Sequence, residues 1–306
     1  MILLRRLRAG DRIAVVAPAS PFESADLESG VRELARLGFE AMYHESIFAR
    51  EGFVAGSAET RAAAIHRAWK DPSIAALIAM RGGYGSAQVL PLLDPALMRE
   101  ARKPLVGYSD ITALLGFYLS NGLTAVHGPM IERRLAAGPT RYDTASFLRV
   151  LTTNEPLGEM CPASLETLVP GAATGTLVGG TLTQIACLLG TPWASPVPEG
   201  AVLFLEDVNE RPYRVHRMLT QLTQAGVLAR VSGIVCGEFQ GCDEPGGRPA
   251  IRDVLREFTR GFRGPVLFGF PSGHTSGAML TLPFGVRARL VGDAHPAVII
   301  DQPAVA

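Results

Sequence analysis

Residues 12–17 read Arg12-Ile13-Ala14-Val15-Val16-Ala17 and are closed by Pro18, an apolar run with no polar alternation. A strand with one wet face alternates, so an unbroken run of this length predicts a strand covered on both sides, as in parallel sheets. Working outward, residues 27–37 carry apolar side chains at helical spacing and stop at Gly38. Residues 60–69 predict a helix, Ile74–Ala79 a strand, 103–107 a short strand, 111–119 a helix and 123–126 a strand. Strand and helix in alternation imply crossover units, and hence the α/β class with an N-terminal doubly wound parallel-sheet domain over residues 1–136.

The alternation breaks over residues 137–174, where Pro139, Pro156, Pro162 and Pro170 leave room for one helix, at 142–151. This stretch is read as a linker region. Beyond it, strands are expected at 176–178, 201–205, 234–236, 266–268, 279–282, 288–291 and 297–300, with helices at 213–225 and 252–259. Residues 175–306 therefore form a strand-rich α+β C-terminal domain.

Composition narrows the function. Of 306 residues 47% are hydrophobic and 19% charged, which excludes a disordered or coiled-coil chain. Lys plus Arg and Asp plus Glu both number 29, so no net field favours a nucleic-acid backbone or an anionic membrane. Cys161, Cys187, Cys236 and Cys242 show no paired metal-knuckle spacing and are expected to be reduced and mostly buried. The apolar run near the N-terminus is too short for a signal segment, and none approaches the roughly 18 residues of a membrane span. A cytoplasmic enzyme or binding protein is the expectation.

Two turns carry candidate chemistry. Arg81-Gly82-Gly83-Tyr84-Gly85-Ser86 lies between a buried strand and a helix, where parallel sheets bind ligands with backbone N–H groups. It lacks the lysine of a phosphate loop and the third glycine of a dinucleotide fingerprint, so it is either a plain tight turn or a set of bare amides facing a developing anion. In Gly107-Tyr108-Ser109-Asp110, Ser109 occupies a strand-to-helix turn as a nucleophile would. An ordinary helix cap by Ser109 or Asp110 is the competing reading. Among six histidines, His274 lies in the small-residue loop Pro271-Ser272-Gly273-His274-Thr275-Ser276-Gly277, with His127 its nearest rival. Glu206 ends an apolar strand; Asp207 and Glu210 are its rivals, and a surface ion pair is the alternative.

Taken in order, residues 12–18, 81–85, 107–110, 178–180, 203–217, 237–242 and 273–283 resemble the LD-carboxypeptidase family of serine peptidases, which includes muropeptide-recycling enzymes and microcin-immunity carboxypeptidases. The resemblance implies a triad with Ser109 as nucleophile, His274 as general base and Glu206 orienting the imidazole. It also implies an oxyanion hole from the amides of Asp110 and of Gly82 or Gly83, and a cleft between an N-terminal domain bearing the serine and a C-terminal domain bearing Glu206 and His274. No metal or organic cofactor is expected. The implied substrate is a muropeptide cleaved between an L-centre and a terminal D-amino acid. A peptide-nucleotide antibiotic, as in the immunity branch, and a non-catalytic ligand-binding homologue are the alternatives. Neither nucleic acid nor membrane is expected as a partner; a homodimer is kept among the expectations. Gln88 and His216 depart from the family pattern, standing where an arginine and an aspartate are usual, and leave substrate detail open.

Overall fold

A computed structural model describes residues 1–306. The first half runs β1 (Arg12–Val16), α1 (Ser24–Arg36), β2 (Glu40–Met42), α2 (Ala58–Lys70), β3 (Ile74–Ala79), α3 (Ser86–Val89), α4 (Pro95–Ala101), β4 (Leu105–Gly107), α5 (Thr112–Ser120), β5 (Ala125–His127) and α6 (Thr144–Thr152). The second runs β6 (Gly158–Met160), β7 (Glu166–Val169), β8 (Gly171–Thr181), α7 (Leu182–Leu188), β9 (Ala201–Glu206), α8 (Pro212–Gln224), β10 (Val231–Cys236), α9 (Ile251–Phe258), β11 (Val266–Phe268), β12 (Leu282–Phe284), β13 (Val286–Gly292) and β14 (Ala297–Ile300).

The apolar runs become the buried centres of two sheets. One has the order β12-β5-β4-β3-β1-β2, and its strands β1 to β5 are all parallel. The chain leaves β1 for β2 on one side and then returns to add β3, β4 and β5 on the other. That reversal opens a crevice outside the carboxyl ends of β1 and β3, where open α/β sheets bind ligands. The other sheet has the order β6-β14-β13-β8-β9-β10-β11-β7, parallel from β8 to β11 and antiparallel towards both edges. Local sequence explains the helices between them: Ser57 caps α2 by accepting from Thr60 N–H, and Pro212 starts α8 where its missing N–H is not needed. Helix α5 is apolar on every side and is buried along eight of its nine residues.

Three expectations change. Residues 137–174 hold two strands besides the expected helix: β7 pairs with β11 and β6 with β14. Their half-exposed residues carry no continuous apolar signal. The strand expected at 279–282 is displaced to Leu282–Phe284, which crosses to the first sheet and pairs antiparallel with β5. Pro283 cannot donate to a ladder and is tolerated because β12 is an edge strand. Of the four cysteines only Cys236 and Cys242 are buried; Cys161 and Cys187 are exposed, and all four are free thiols. No helix is long and apolar enough to cross a membrane.

Candidate active site

Three turns meet at the carboxyl ends of β1, β3 and β4. After β4, Gly107 brings the chain against Ile111, which leaves no room for a Cβ. Ser109 follows with φ +62°, a left-handed conformation that non-glycine residues adopt at a cost and that clusters at functional sites. Tyr108 and Asp110 are buried, whereas Ser109 is partly exposed. The turn therefore pushes this hydroxyl outward. Neither Ser109 nor Asp110 caps the helix behind it. The Asp110 carboxylate instead accepts from Ser86 N–H at 2.7 Å, tying the start of α5 to the start of α3. Burial raises the Asp110 pKa, against the pull of the Ser86 hydrogen bonds.

That tie holds the glycine turn in place. A Cβ on Gly82 would lie 2.8 Å from Ser109 Cβ and 2.9 Å from its Oγ, so only glycine lets the two turns touch. Gly83, at φ +106°, packs equally closely on the Ser20 hydroxyl, which accepts from Tyr84 N–H at 3.0 Å. The amides of Gly82, Gly83 and Asp110 have no intramolecular acceptor. The two turns form one site, with free N–H groups beside a serine hydroxyl.

Glu206 and His274 come from the second half of the chain. Glu206, the last residue of β9, is fully buried, and its Oε2 accepts from both the backbone N–H and Nδ1 of His274 at 2.8 Å each. Thr181, at the end of the neighbouring β8, donates its hydroxyl to Oε1. Gly237 and Gly273 lie so close to Glu206 that a side chain on either would overlap it. Burial pushes the Glu206 pKa up, but the imidazole, its hydrogen bond and Thr181 outweigh burial and hold it down at about 2. Burial likewise opposes charge on His274, and the adjacent Glu206 carboxylate reverses this, so its pKa lies above the ordinary histidine value. The pairing fixes the tautomer, leaving Nε2 as the free basic nitrogen. No hydrogen bond joins Ser109 Oγ to His274; the Tyr108 ring of the serine turn packs edge-on to the imidazole, ring centroids 5.0 Å apart.

The rivals are placed elsewhere. His127 is fully buried between Tyr108, Phe204 and Phe284, with no partner at either nitrogen, and burial pushes its pKa down to about 4. It stays neutral and cannot exchange protons with a substrate. Asp207 turns away to Thr183 and Val208, and Glu210 pairs with Arg214 at the surface. Gln88 accepts from the buried Arg61, which also donates to Pro18 and Gly85 carbonyls, while His216 lies exposed against Phe258. Sequence reading did not find Thr181, Glu238 or Arg134. Glu238 accepts from Ser276 N–H, and Arg134, buried, donates to the carbonyls on both sides of His274. An open cleft of about 600 Å³ lined by Ser20, Pro21, Phe53, Arg81 and Tyr84 adjoins the glycine turn. A separate cavity beneath α2, of about 170 Å³, contains none of these site residues. No group of three or more His, Cys, Asp or Glu side chains converges as a metal site.

Residues 13–128 match the profile of the LD-carboxypeptidase N-terminal domain and residues 174–290 that of the C-terminal domain. The murein tetrapeptide carboxypeptidase of Pseudomonas aeruginosa is 33% identical over 92% of this chain and 94% of its own. The muramoyltetrapeptide carboxypeptidase of Oxalobacter formigenes superposes with a TM-score of 0.83 at 30% identity, covering 96% of this chain and all of its own. A microcin C7 self-immunity protein in complex with aspartyl sulfamoyl adenosine superposes with a TM-score of 0.91 at 26% identity over the whole of both chains.

Proposed function

The chain belongs to the LD-carboxypeptidase family, and from that premise we propose that it is a serine carboxypeptidase acting on murein tetrapeptides. It hydrolyses the amide between an L-centre and the C-terminal D-amino acid. Ser109 is the nucleophile, His274 the general base and Glu206 the group that orients the imidazole. The observation that carries this reading is the buried Glu206–His274 pair, which presents one free basic nitrogen beside a strained serine turn with unpaired amides.

Attack by Ser109 Oγ on the scissile carbonyl passes its proton to His274 Nε2. Glu206, fully buried, then faces an imidazolium whose charge it neutralises. The tetrahedral oxyanion lies against the amides of Asp110 and of Gly82 or Gly83, fixed before the reaction begins. His274 protonates the departing D-amino acid, and water on the same base releases the acyl group. On this reading the substrate is a tetrapeptide returning to the cytoplasm, and the enzyme acts there.

The test is incubation with a tetrapeptide ending in D-Ala and, in parallel, its L-Ala epimer, followed by mass spectrometry. Release of alanine from the D-peptide alone is expected, and none with Ser109→Ala. Equal release from both epimers overturns the stereochemical assignment. The full-length likeness to a protein solved with aspartyl sulfamoyl adenosine favours a second reading, an immunity-type hydrolase. That nucleoside forms a third arm, and its cleavage with the D-peptide left intact would establish the second reading.

A further inference from the structure

We propose that Arg134 is a positioning residue for the general base, its guanidinium locking the loop that bears His274 to the turn that bears Ser109. Arg134 is 4% exposed, on the short turn at residues 131–135 that follows β5. Its Nη2 donates to the carbonyls of Gly273 and Thr275 at 2.9 Å each, the residues immediately before and after His274. Nη1 donates at 3.0 Å each to Gly277, farther along the loop, and to Arg141. The face of the same group lies 5.8 Å from the centroid of the Tyr108 ring, and that ring meets the His274 imidazole edge-on. Tyr108 is covalently joined to Ser109.

One planar cation thus touches the backbone around the base and the residue preceding the nucleophile. Arg134 forms no ion pair with a carboxylate, so its buried charge is balanced by these carbonyls and by the aromatic face. Ionic pairing is not what holds it there. Arginine suits the task because its rigid fork of five donors reaches several carbonyls at once, whereas a lysine ammonium is a single point. The loop needs such a hold. Gly273 at φ +77° carries it so close to the Glu206 carboxylate that any outward shift breaks both hydrogen bonds from His274 to Oε2. Glu238 holds Thr275 and Ser276 just after the base, and only Arg134 also reaches the carbonyl of Gly273 before it.

The inference rests on the assignment of His274 as base, and its test separates the two. Arg134→Lys and Arg134→Met are compared with wild type by steady-state kinetics on the D-Ala tetrapeptide, by thermal melting, and by the low-field proton resonance of His274 Nδ1–H, assigned with His274→Gln. The groups facing His274 are Glu206 and Asp207 at the end of β9, Tyr108 on the nucleophile turn, His127 on β5 and Arg134 itself. All but the last are unchanged in these variants. Misplacement of the base predicts that kcat falls about 100-fold in Arg134→Met and about tenfold in Arg134→Lys, with KM within about threefold. The low-field signal should be lost in the first and weakened in the second. Should Arg134→Met not fold, Arg134→Lys decides. A folded variant whose signal keeps its wild-type position and intensity overturns the proposal, whether or not kcat falls. If wild type cleaves no tetrapeptide, the proposed function fails, while the resonance still decides what Arg134 does.

Discussion

In the proposed triad Ser109 and His274 exchange the transferred proton while Glu206 holds the imidazole through Nδ1, so their removal should not cost equal amounts. Ser109→Ala and His274→Ala remove an atom that forms or breaks a bond, and a loss on the order of 10⁴–10⁶ in kcat is expected for each. Glu206→Gln keeps a partner for Nδ1 but removes the countercharge to the imidazolium, so it should cost less. The pH profile checks the same assignment with a definite sign. His274 has its pKa raised by the Glu206 carboxylate against burial. The acid limb of kcat/KM should therefore lie above the ordinary histidine value of about 6.5. In Glu206→Gln the raising charge is gone and burial remains, so the limb should move to lower pH. An unmoved limb would mean that some other group titrates. Ser109, His274 and Glu206 were legible as candidates because each sits at a recognisable junction, strand to helix, small-residue loop and strand end, and the family resemblance set them above their rivals. Arg134 was not, since Ile131-Glu132-Arg133-Arg134 reads as an ordinary charged turn. Nothing local marks which of two adjacent arginines folds inward.

At the scale of elements, β8 decides where the acid stands. Gly179 and Gly180 adopt φ of +142° and +138°, letting β8 press on β9 at Phe204 and on Thr112 at the start of α5. Thr181 then lies beside Glu206 in register. A methyl on Gly179 would overlap the Phe204 carbonyl oxygen as well as strain the backbone, so Gly179→Ala should destabilise the fold by at least about 2 kcal/mol in urea unfolding. A change within about 0.5 kcal/mol would show that β8 can shift and that this approach is not fixed. The central strands could be read ahead of the structure because two-sided burial writes itself as unbroken Ile, Leu and Val. The edges could not. Glu166–Val169 is half-exposed along its length, and Leu282–Phe284 carries a proline, so pairing with distant partners rather than local preference makes them strands. Helix α7 escaped notice for a related reason, being seven residues with no side-chain cap.

For the whole molecule, the two sheets share one apolar core. Their buried apolar side chains form a single cluster of 87 residues reaching from Leu4 to Val305. The chain is also laced across the sheets. Strand β12 comes from the second half yet closes the first sheet, and the C-terminal segment returns to the N-terminus, where Leu4 N–H donates to Ala304 and Ala306 N–H to Leu4. Thr124, just before β5, adds a side-chain bond to Ala304 at 2.7 Å. Unfolding the second half would strip β12 from the first sheet and open the shared core, so unfolding should be one cooperative step. The two tryptophans supply the test, because Trp69 lies buried in α2 beside the first sheet and Trp193 follows α7 in the second half. In Trp193→Phe the remaining fluorescence reports the first half, and in Trp69→Phe the second, while circular dichroism reports both. Within each variant the fluorescence and dichroism transitions in urea should coincide. If the fluorescence midpoint departs from the dichroism midpoint in either variant, the halves unfold separately. The base loop could then leave the serine turn without loss of the first sheet, and the geometry joining Ser109 to His274 would belong to a docking equilibrium rather than to the native fold.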